Sequence, residues 1–214
     1  MHDLISGIEF IFRGGFMMWP LLISALVALT VIFERLYSFK TRFPTPPALV
    51  GEVIEKVQTG DFTQANSLCG KAQTPVASVL SCGLEHFKNP VAEMELSMKN
   101  QAEEWMPLLE RRIEVIDTVI TAAPLMGLLG TITGMMASFR VLSEKGVNEP
   151  NAITGGVAEA LIATATGLVI ALVCLVAYNY LSRRIKEFIY EIEAAASKLV
   201  EARMASERKT AGKV

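Results

Sequence analysis

Two long apolar segments that follow one another closely constrain this chain more than any other feature. Residues 118–139 and 160–182 are separated by a short polar stretch, and a third run without charges, residues 14–33, precedes them. A helix needs roughly 20 residues to cross about 30 Å of hydrocarbon. A single segment in a bilayer satisfies its backbone hydrogen bonds only as a helix. The sequence therefore predicts an all-α integral membrane protein with three transmembrane helices.

Composition agrees with this class and argues against several functions. Of 214 residues, 51% are hydrophobic and 20% charged, which is more apolar than an ordinary soluble domain. The net charge of −2, without a basic block, gives no sign of a nucleic-acid partner. Cys69, Cys82 and Cys174 lack metal-ligand spacing and predict free thiols. We find no phosphate-binding loop, nucleophile–base motif or metal-ligand cluster, so we predict no enzyme, cofactor or metal.

Residues that begin or break helices, together with hydrophobic periodicity, divide the chain into seven predicted segments. They are an interfacial helix at 1–15, a transmembrane helix at 16–36, a helical domain at 37–112, a second transmembrane helix at 113–140, a loop at 141–151, a third transmembrane helix at 152–182, and a helix with a charged tail at 183–214. A frayed extension of the first span explains residues 1–15 equally well. Asp3 and Glu9 favour a retained span over a cleaved signal peptide.

Prolines, glycines and capping residues place the helices between the first two spans. Thr45 is predicted to cap a helix that Gly60 ends, and Asp61 to cap the next one. Pro75 opens a further helix. We expect Pro107 to kink or break the last helix of this region, because proline removes a backbone donor.

Lysine and arginine next to the spans predict the orientation. One side carries Arg35, Lys40, Arg42, Arg111, Arg112, Arg183, Arg184 and Lys186, and the other carries only Arg13, Arg140 and Lys145. Since the richer side is normally cytoplasmic, residues 37–112 and the C-terminus are predicted to lie inside. The N-terminus and the 141–151 loop then lie outside.

Small and polar residues within the second and third spans are the candidate functional features. Small residues recur at spacings that allow close helix contact, and Pro124 leaves a carbonyl that a neighbouring helix must satisfy. The candidate packing residues are Pro124, Gly127, Gly130, Gly134, Ala163, Gly167 and Ala171.

An ionisable group at a span is costly and indicates function by default, which makes Glu159 a candidate. The alternative for Glu159 is an interfacial carboxylate in contact with water. Thr131 and Thr164 bring hydroxyls without charge, and Thr164 lies about 140° round the helix from Glu159. One chain offers too few polar positions for a continuous path. A polar lumen therefore requires several copies or a partner helix.

Two stretches of this hairpin resemble the MotA/TolQ/ExbB proton channel family, closest to its ExbB/TolQ branch. They read TAAPLMGLLGTITGMMASF at residues 121–139 and GGVAEALIATATGLVIALVCLVAYN at residues 155–179. Three predicted spans fit this branch better than the four of MotA-type subunits. The chain departs from the family at Val173, where many members have proline.

The resemblance implies a homopentamer in a bacterial inner membrane, with a periplasmic N-terminus and a cytoplasmic C-terminus. The pentamer would surround an ExbD/TolR-like single-span subunit that carries a membrane Asp. The proton motive force would drive movement that a TonB- or TolA-like protein transmits outward. The family's pore threonines fall on Thr131 and Thr164, and its membrane glutamate falls on Glu159.

Several alternatives stay open at the level of sequence. A passive membrane scaffold and a self-sufficient homo-oligomeric ion channel both fit the three spans. The client process and the choice between proton and sodium are also undetermined, because hydroxyls suit either ion and the acidic group that decides belongs to the partner.

Overall fold

The computed structural model describes residues 15–41, 43, 45–145 and 150–211, and the regular structure within them is helical. The helices are α1 Met18–Thr41, α2 Leu49–Thr59, α3 Phe62–Ala72, α4 Pro75–Glu85, α5 Val91–Glu110, α6 Ile113–Lys145 and α7 Pro150–Ala211. No strand occurs in those described ranges, so the all-α prediction is confirmed.

Three helices are long and apolar enough to cross a membrane, as predicted. These are Met18–Thr41, Ile113–Glu144 and Thr154–Arg208. The 33 residues of α6 make a helix of about 50 Å, longer than the hydrocarbon core. Helix α6 continues to Lys145, four residues beyond the predicted start of the loop at 141. The predicted interfacial helix at 1–15 lies outside the described residues except for Gly15.

The chain divides into two compact units. One comprises Met1–Glu34 and Arg112–Tyr180, and we call its described part the membrane unit. The other comprises Arg35–Arg111 and Leu181–Val214, and we call its described part the bundle unit.

The three helical segments of the membrane unit alternate in direction. Near the end of the first span, Glu34 forms an ion pair of 2.7 Å with Arg112, just before α6 begins. At the other end of this span, Met17 lies against Gly130 of α6. Helix α1 therefore runs antiparallel to α6. Helix α7 is also antiparallel to α6, because Gly134 lies against Ala160 whereas Gly127 lies against Thr164.

The bundle unit has an ordinary hydrophobic core made of large side chains. Leu80, Met94 and Leu199 are fully buried, and Val53 and Val76 join the same cluster. Gly83 belongs to the tight part of this core, because a methyl group there would lie 2.6 Å from both Leu199 and Met98. Phe39 and Phe43 pack against each other and against Phe188 of α7, with ring centroids 5.6–5.9 Å apart.

Several predicted caps of the bundle unit are confirmed. Gly60 ends α2 with φ = 83°, a left-handed conformation that suits glycine. The Asp61 carboxylate accepts a hydrogen bond of 3.0 Å from the Gln64 amide at the start of α3. Pro75 opens α4, which Thr74 caps by accepting from the Ala77 amide at 3.3 Å.

One local prediction is wrong, and of the kink or break predicted at Pro107 the break is wrong. Helix α2 begins at Leu49 with Ala48 at its N-cap, so Thr45 does not cap it. Helix α5 is not broken at Pro107 but continues through it to Glu110. The chain turns instead at Arg111 and Arg112, and Arg112 takes a positive φ of 63°.

A buried arginine donates a hydrogen bond to the C-terminal end of α5. Arg35 is 3% exposed and donates a hydrogen bond of 3.1 Å to the Leu108 carbonyl. The last carbonyls of a helix have no partner within it and carry partial negative charge. Arg35 therefore satisfies a polar group that the turn at Arg111 leaves without a helical donor.

Candidate functional site

Small residues let α6 and α7 of the membrane unit approach to backbone contact. A methyl group at Gly127 would lie 3.0 Å from the Ala163 carbonyl oxygen and from the Thr164 Cα. A methyl group at Gly130 would lie 2.7 Å from the Ala163 Cβ. At Gly167 it would collide with the Ala123 carbonyl oxygen. We call this contact the glycine seam, and its closeness excludes larger side chains.

The seam extends beyond the packing residues predicted from the sequence. Ser138 is buried, and its Oγ occupies the space that a side chain at Gly156 would need. Gly134 faces the Gly156 carbonyl, 3.0 Å from the position of a methyl group. Ser138 continues the spacing of Gly130 and Gly134 along α6, so the same small-residue pattern could have found it.

The remaining predicted packing residues lie within the helices. Ala171 is 9% exposed and Pro124 is half-buried. Pro124 lies inside α6 without ending it. Pro124 lacks the N–H that would bond the Ile120 carbonyl, four residues back.

The structure brings Thr131 and Thr164 to one turn of α6. The Thr164 hydroxyl donates across the seam to the Gly127 carbonyl at 2.9 Å. The Thr131 hydroxyl donates within α6 to the next carbonyl, that of Leu128, at 2.7 Å. Two hydroxyls from different helices are thus fixed on adjacent carbonyls, in the middle of a helix that is apolar enough to span a membrane.

This arrangement determines which hydrogen bonds the two threonines still offer. A hydroxyl has one donor and two acceptor lone pairs. Here both donors are used on carbonyls, so oxygen lone pairs remain. Each threonine oxygen can therefore accept from water or from a protonated acid, and the lone pairs suit a cation as well.

Glu159 is not held by the two threonines. Its side chain is half-buried and lies against Gly15, where any Cβ would collide with the carboxylate. Gly15 has φ = 69°, which also favours glycine. The carboxylate thus lies at the start of α1, where backbone N–H groups carry partial positive charge. Its position beside Gly15 could not be read from the sequence.

No group of three His, Cys, Asp or Glu side chains in the described ranges has the geometry of a metal site. Cys174 is buried as a free thiol in the membrane unit. Along the glycine seam, the polar chemistry of this unit is therefore that of hydroxyls and backbone carbonyls, with the Glu159 carboxylate beside Gly15.

The chain is similar to a family model described as "MotA/TolQ/ExbB proton channel family", which matches residues 71–194. It is 33% identical to the ExbB-like 3 protein of Synechocystis sp. over 78% of this chain and 80% of that protein. It is 30% identical to the Tol-Pal system protein TolQ of Haemophilus influenzae, over 78% of this chain and 74% of that protein. It is 36% identical to the biopolymer transport protein ExbB of Aquifex aeolicus, over 55% of this chain and 71% of that protein.

The matched region includes the glycine seam and both threonines, and its relatives carry the ExbB and TolQ names that the hairpin residues suggested. The family consists of channel and transport subunits and is not a class of enzymes. From the three spans, the polar seam and these similarities, we conclude that the chain belongs to the MotA/TolQ/ExbB proton channel family.

Proposed function

We propose that this chain is the inner-membrane subunit of a motor driven by the proton motive force, with its N-terminus periplasmic and its C-terminus cytoplasmic. In this proposal five copies surround a single-span ExbD/TolR-like subunit that carries a membrane Asp. The motor powers a periplasmic or outer-membrane process such as TonB-dependent uptake, through a TonB- or TolA-like protein. The observation that carries the proposal is the pair of threonine hydroxyls on one turn of α6.

The free lone pairs on the two threonine hydroxyl oxygens favour one protonation state of a partner carboxyl group. A protonated Asp has an O–H donor, and Thr131 and Thr164 offer acceptors. An ionised Asp is only an acceptor and finds no free donor there, because both hydroxyl donors are used on carbonyls. The threonines therefore stabilise the neutral acid, and a partner helix moves past them when its Asp is protonated.

The energy available is of the right size for such a step. One elementary charge that crosses 100 mV releases about 2.3 kcal/mol. An interhelical hydrogen bond in a membrane contributes about 0.6 kcal/mol on average. One proton therefore supplies enough free energy to exchange a few such contacts between a partner helix and this chain.

Glu159 has a separate role in this proposal. It lies at the outer mouth, beside the start of α1, and its negative charge attracts cations toward the pathway. The proton-conducting residues of this chain are then Thr131 and Thr164, with Glu159 at the entrance.

Removal of both hydroxyls tests the proposal. We expect Thr131→Val/Thr164→Val, and each single Ala variant, to abolish uncoupler-sensitive activity while the complex still assembles. Thr133→Val is the matched control, because its hydroxyl donates to Leu129 and Gly130 of its own helix, two positions along. The measurement is proton uptake into liposomes that contain the complex copurified with its partner, under an imposed potential.

Three results would contradict the proposal. Full activity of the double valine variant would show that the hydroxyls do not matter. Proton uptake by the chain without any partner would indicate a self-sufficient channel. An activity that is insensitive to uncouplers would indicate a passive scaffold. Native mass spectrometry of the copurified complex measures the subunit ratio independently.

A further inference from the structure

The bundle unit contains an open groove that its own core does not fill. Helix α5 and the α7 residues from Ile189 to Met204 form its two walls, and its volume is about 770 Å³. The fifteen residue steps from Ile189 to Met204 span about 22 Å at 1.5 Å per residue. This length matches one short helix lying between two others.

The floor of the groove is apolar and rich in methionine. Met98, Ile192 and Val200 are buried at its base. Met106 is half-buried, and Met204 is 42% exposed at one end. Methionine is unbranched and polarisable, so such a surface adapts to the apolar face of a helix.

The rim of the groove is acidic on both sides. Glu95 and Glu103 border it on α5, and Glu193 and Glu201 border it on α7. The cation on this rim is Lys99, which is already paired with Glu103 at 4.0 Å.

Other cations of α7 near the groove point elsewhere. Arg203 lies over the Phe87 ring at 5.4 Å and pairs with Glu207 at 2.8 Å. Lys198 borders a different depression, beside Val50 and Ile54 of α2, which Glu201 borders as well. The groove therefore keeps its excess of carboxylates.

From this combination we infer that the groove binds a basic amphipathic helix of a partner protein, whose apolar face meets the methionines and whose Lys or Arg side chains meet the four carboxylates. A neighbouring copy in a cyclic pentamer would present a different face to the groove, and a second copy that presents the same face would oppose carboxylates with carboxylates. Anionic lipid head groups would be repelled for the same reason. A helix with one apolar face and Lys or Arg side chains beside it is complementary to both the apolar floor and the acidic rim of the groove.

The proposed function suggests where such a segment comes from, and this step rests on it. A single-span partner with its N-terminus inside carries Lys and Arg on the cytoplasmic side of its span. The bundle unit is cytoplasmic in the same proposal. The basic segment next to the partner's span is therefore the expected occupant.

The test uses the full chain in phosphatidylcholine nanodiscs and a synthetic 18-residue probe. The probe is a Lys/Leu peptide with amphipathic helical spacing and one benzophenone on its apolar face, a group that reacts readily with methionine. We expect photocrosslinks at Met106 and Met204, located by mass spectrometry. In Glu193→Lys/Glu201→Lys, the crosslinking yield should fall about tenfold, because two rim charges are reversed.

Matched controls separate this site from general attraction. Glu55→Lys/Glu191→Lys changes the net charge equally at two exposed positions outside the groove and should leave the yield unchanged. A Glu/Leu peptide of the same pattern should not crosslink. Equal yields from both peptides, crosslinks mainly elsewhere, or peptide held only by empty nanodiscs would overturn the inference.

The assay needs neither a proton gradient nor the native partner. Thr131→Val/Thr164→Val should therefore bind the probe normally. If this variant loses proton uptake but the wild-type groove fails to crosslink, the groove inference is wrong and the motor proposal stands. The reverse pattern contradicts only the motor proposal.

Discussion

The two units of this chain differ in the side chains that make their closest helix contacts. In the membrane unit, glycine and alanine form the contact between α6 and α7, and Leu128, Leu168 and Leu172 are each more than half exposed. Larger side chains, Leu21 of α1 and Ile116 of α6, are also buried in this unit. In the bundle unit, Leu80 and Leu199 are fully buried and the rim is charged. One sequence thus follows two packing rules.

The difference reflects the forces that stabilise helix packing in water and in lipid. Water drives large apolar side chains into a core, at about 25 cal/mol per Å² of buried apolar surface. Lipid tails are as apolar as leucine, so burying leucine between two spans gains little there. Close backbone approach and interhelical hydrogen bonds remain as driving forces, and both require small residues at the contact.

Shortening a large side chain of the bundle core should therefore damage that unit. Leu80→Ala should lower the free energy of unfolding of this unit by about 2–5 kcal/mol, because it leaves a cavity in a packed core. The measurement is hydrogen exchange of the α4 amides. Leu172→Ala is the matched control in α7, at a position that is 62% exposed, and should change stability by less than about 1 kcal/mol. Similar losses from the two substitutions would remove the distinction between the units.

Enlarging a small residue of the glycine seam should damage the membrane unit. Gly167→Val places a side chain against the Ala123 carbonyl and should destabilise the hairpin by about 1–3 kcal/mol, as overpacking does. Steric trapping in bicelles measures this change. Gly155→Val is the control in the same helix, since no described atom lies within 4 Å of a methyl group there. If Gly167→Val is as stable as Gly155→Val, the glycine seam is not a tight contact.

The smallest expected effect concerns how well the bundle core excludes water. Burial raises the pKa of the Cys69 thiol to about 11. Burial, followed by the charges of Glu85 and Glu104, raises the pKa of the half-buried Cys82. In a Cys174→Ala background at pH 7.5, N-ethylmaleimide should label Cys82 about tenfold faster than Cys69.

The pH dependence of this labelling follows from the reactive form, which is the thiolate. Raising the pH increases the thiolate fraction until it passes the pKa, so labelling of Cys69 should keep accelerating up to about pH 11. A plateau of the Cys69 rate near pH 9 would show that this thiol is solvated, and that the core opens more readily than its burial indicates.

Sequence reasoning succeeded where the cause of a structure is local. Gly60 and Asp61 were predicted correctly because a cap depends on residues within one turn. The predicted cap at Thr45 was wrong because Pro46 and Pro47 follow it, and Pro47 lacks an N–H that a capping side chain would bind. Pro107 did not break α5 because the carbonyl it leaves free belongs to Glu103, an exposed residue that water can reach.

The candidate site was only partly accessible to sequence reasoning. The spacing of small residues indicated which face of α6 would be in contact, but not which atoms meet across it. The bond from Thr164 to Gly127 joins residues 37 positions apart. The contact of Glu159 with Gly15 depends on how α1 packs against α7. Such contacts follow from the tertiary arrangement of helices, which periodicity does not specify.

The hydrogen bond from Thr164 to Gly127 has a consequence for how easily the hairpin can rearrange. Thr133 and Thr166 show that a span threonine finds a carbonyl one turn back in its own helix, with Thr166 donating to Ile162 at 2.8 Å. A Thr164 that left Gly127 would find the Ala160 carbonyl in the same way. The cross-helix bond is then an exchange of acceptors with little net free energy. The Thr164 hydroxyl can thus leave and re-form this bond without being left unsatisfied, so the resistance to parting at this turn comes from the close backbone packing of the seam and not from the hydrogen bond.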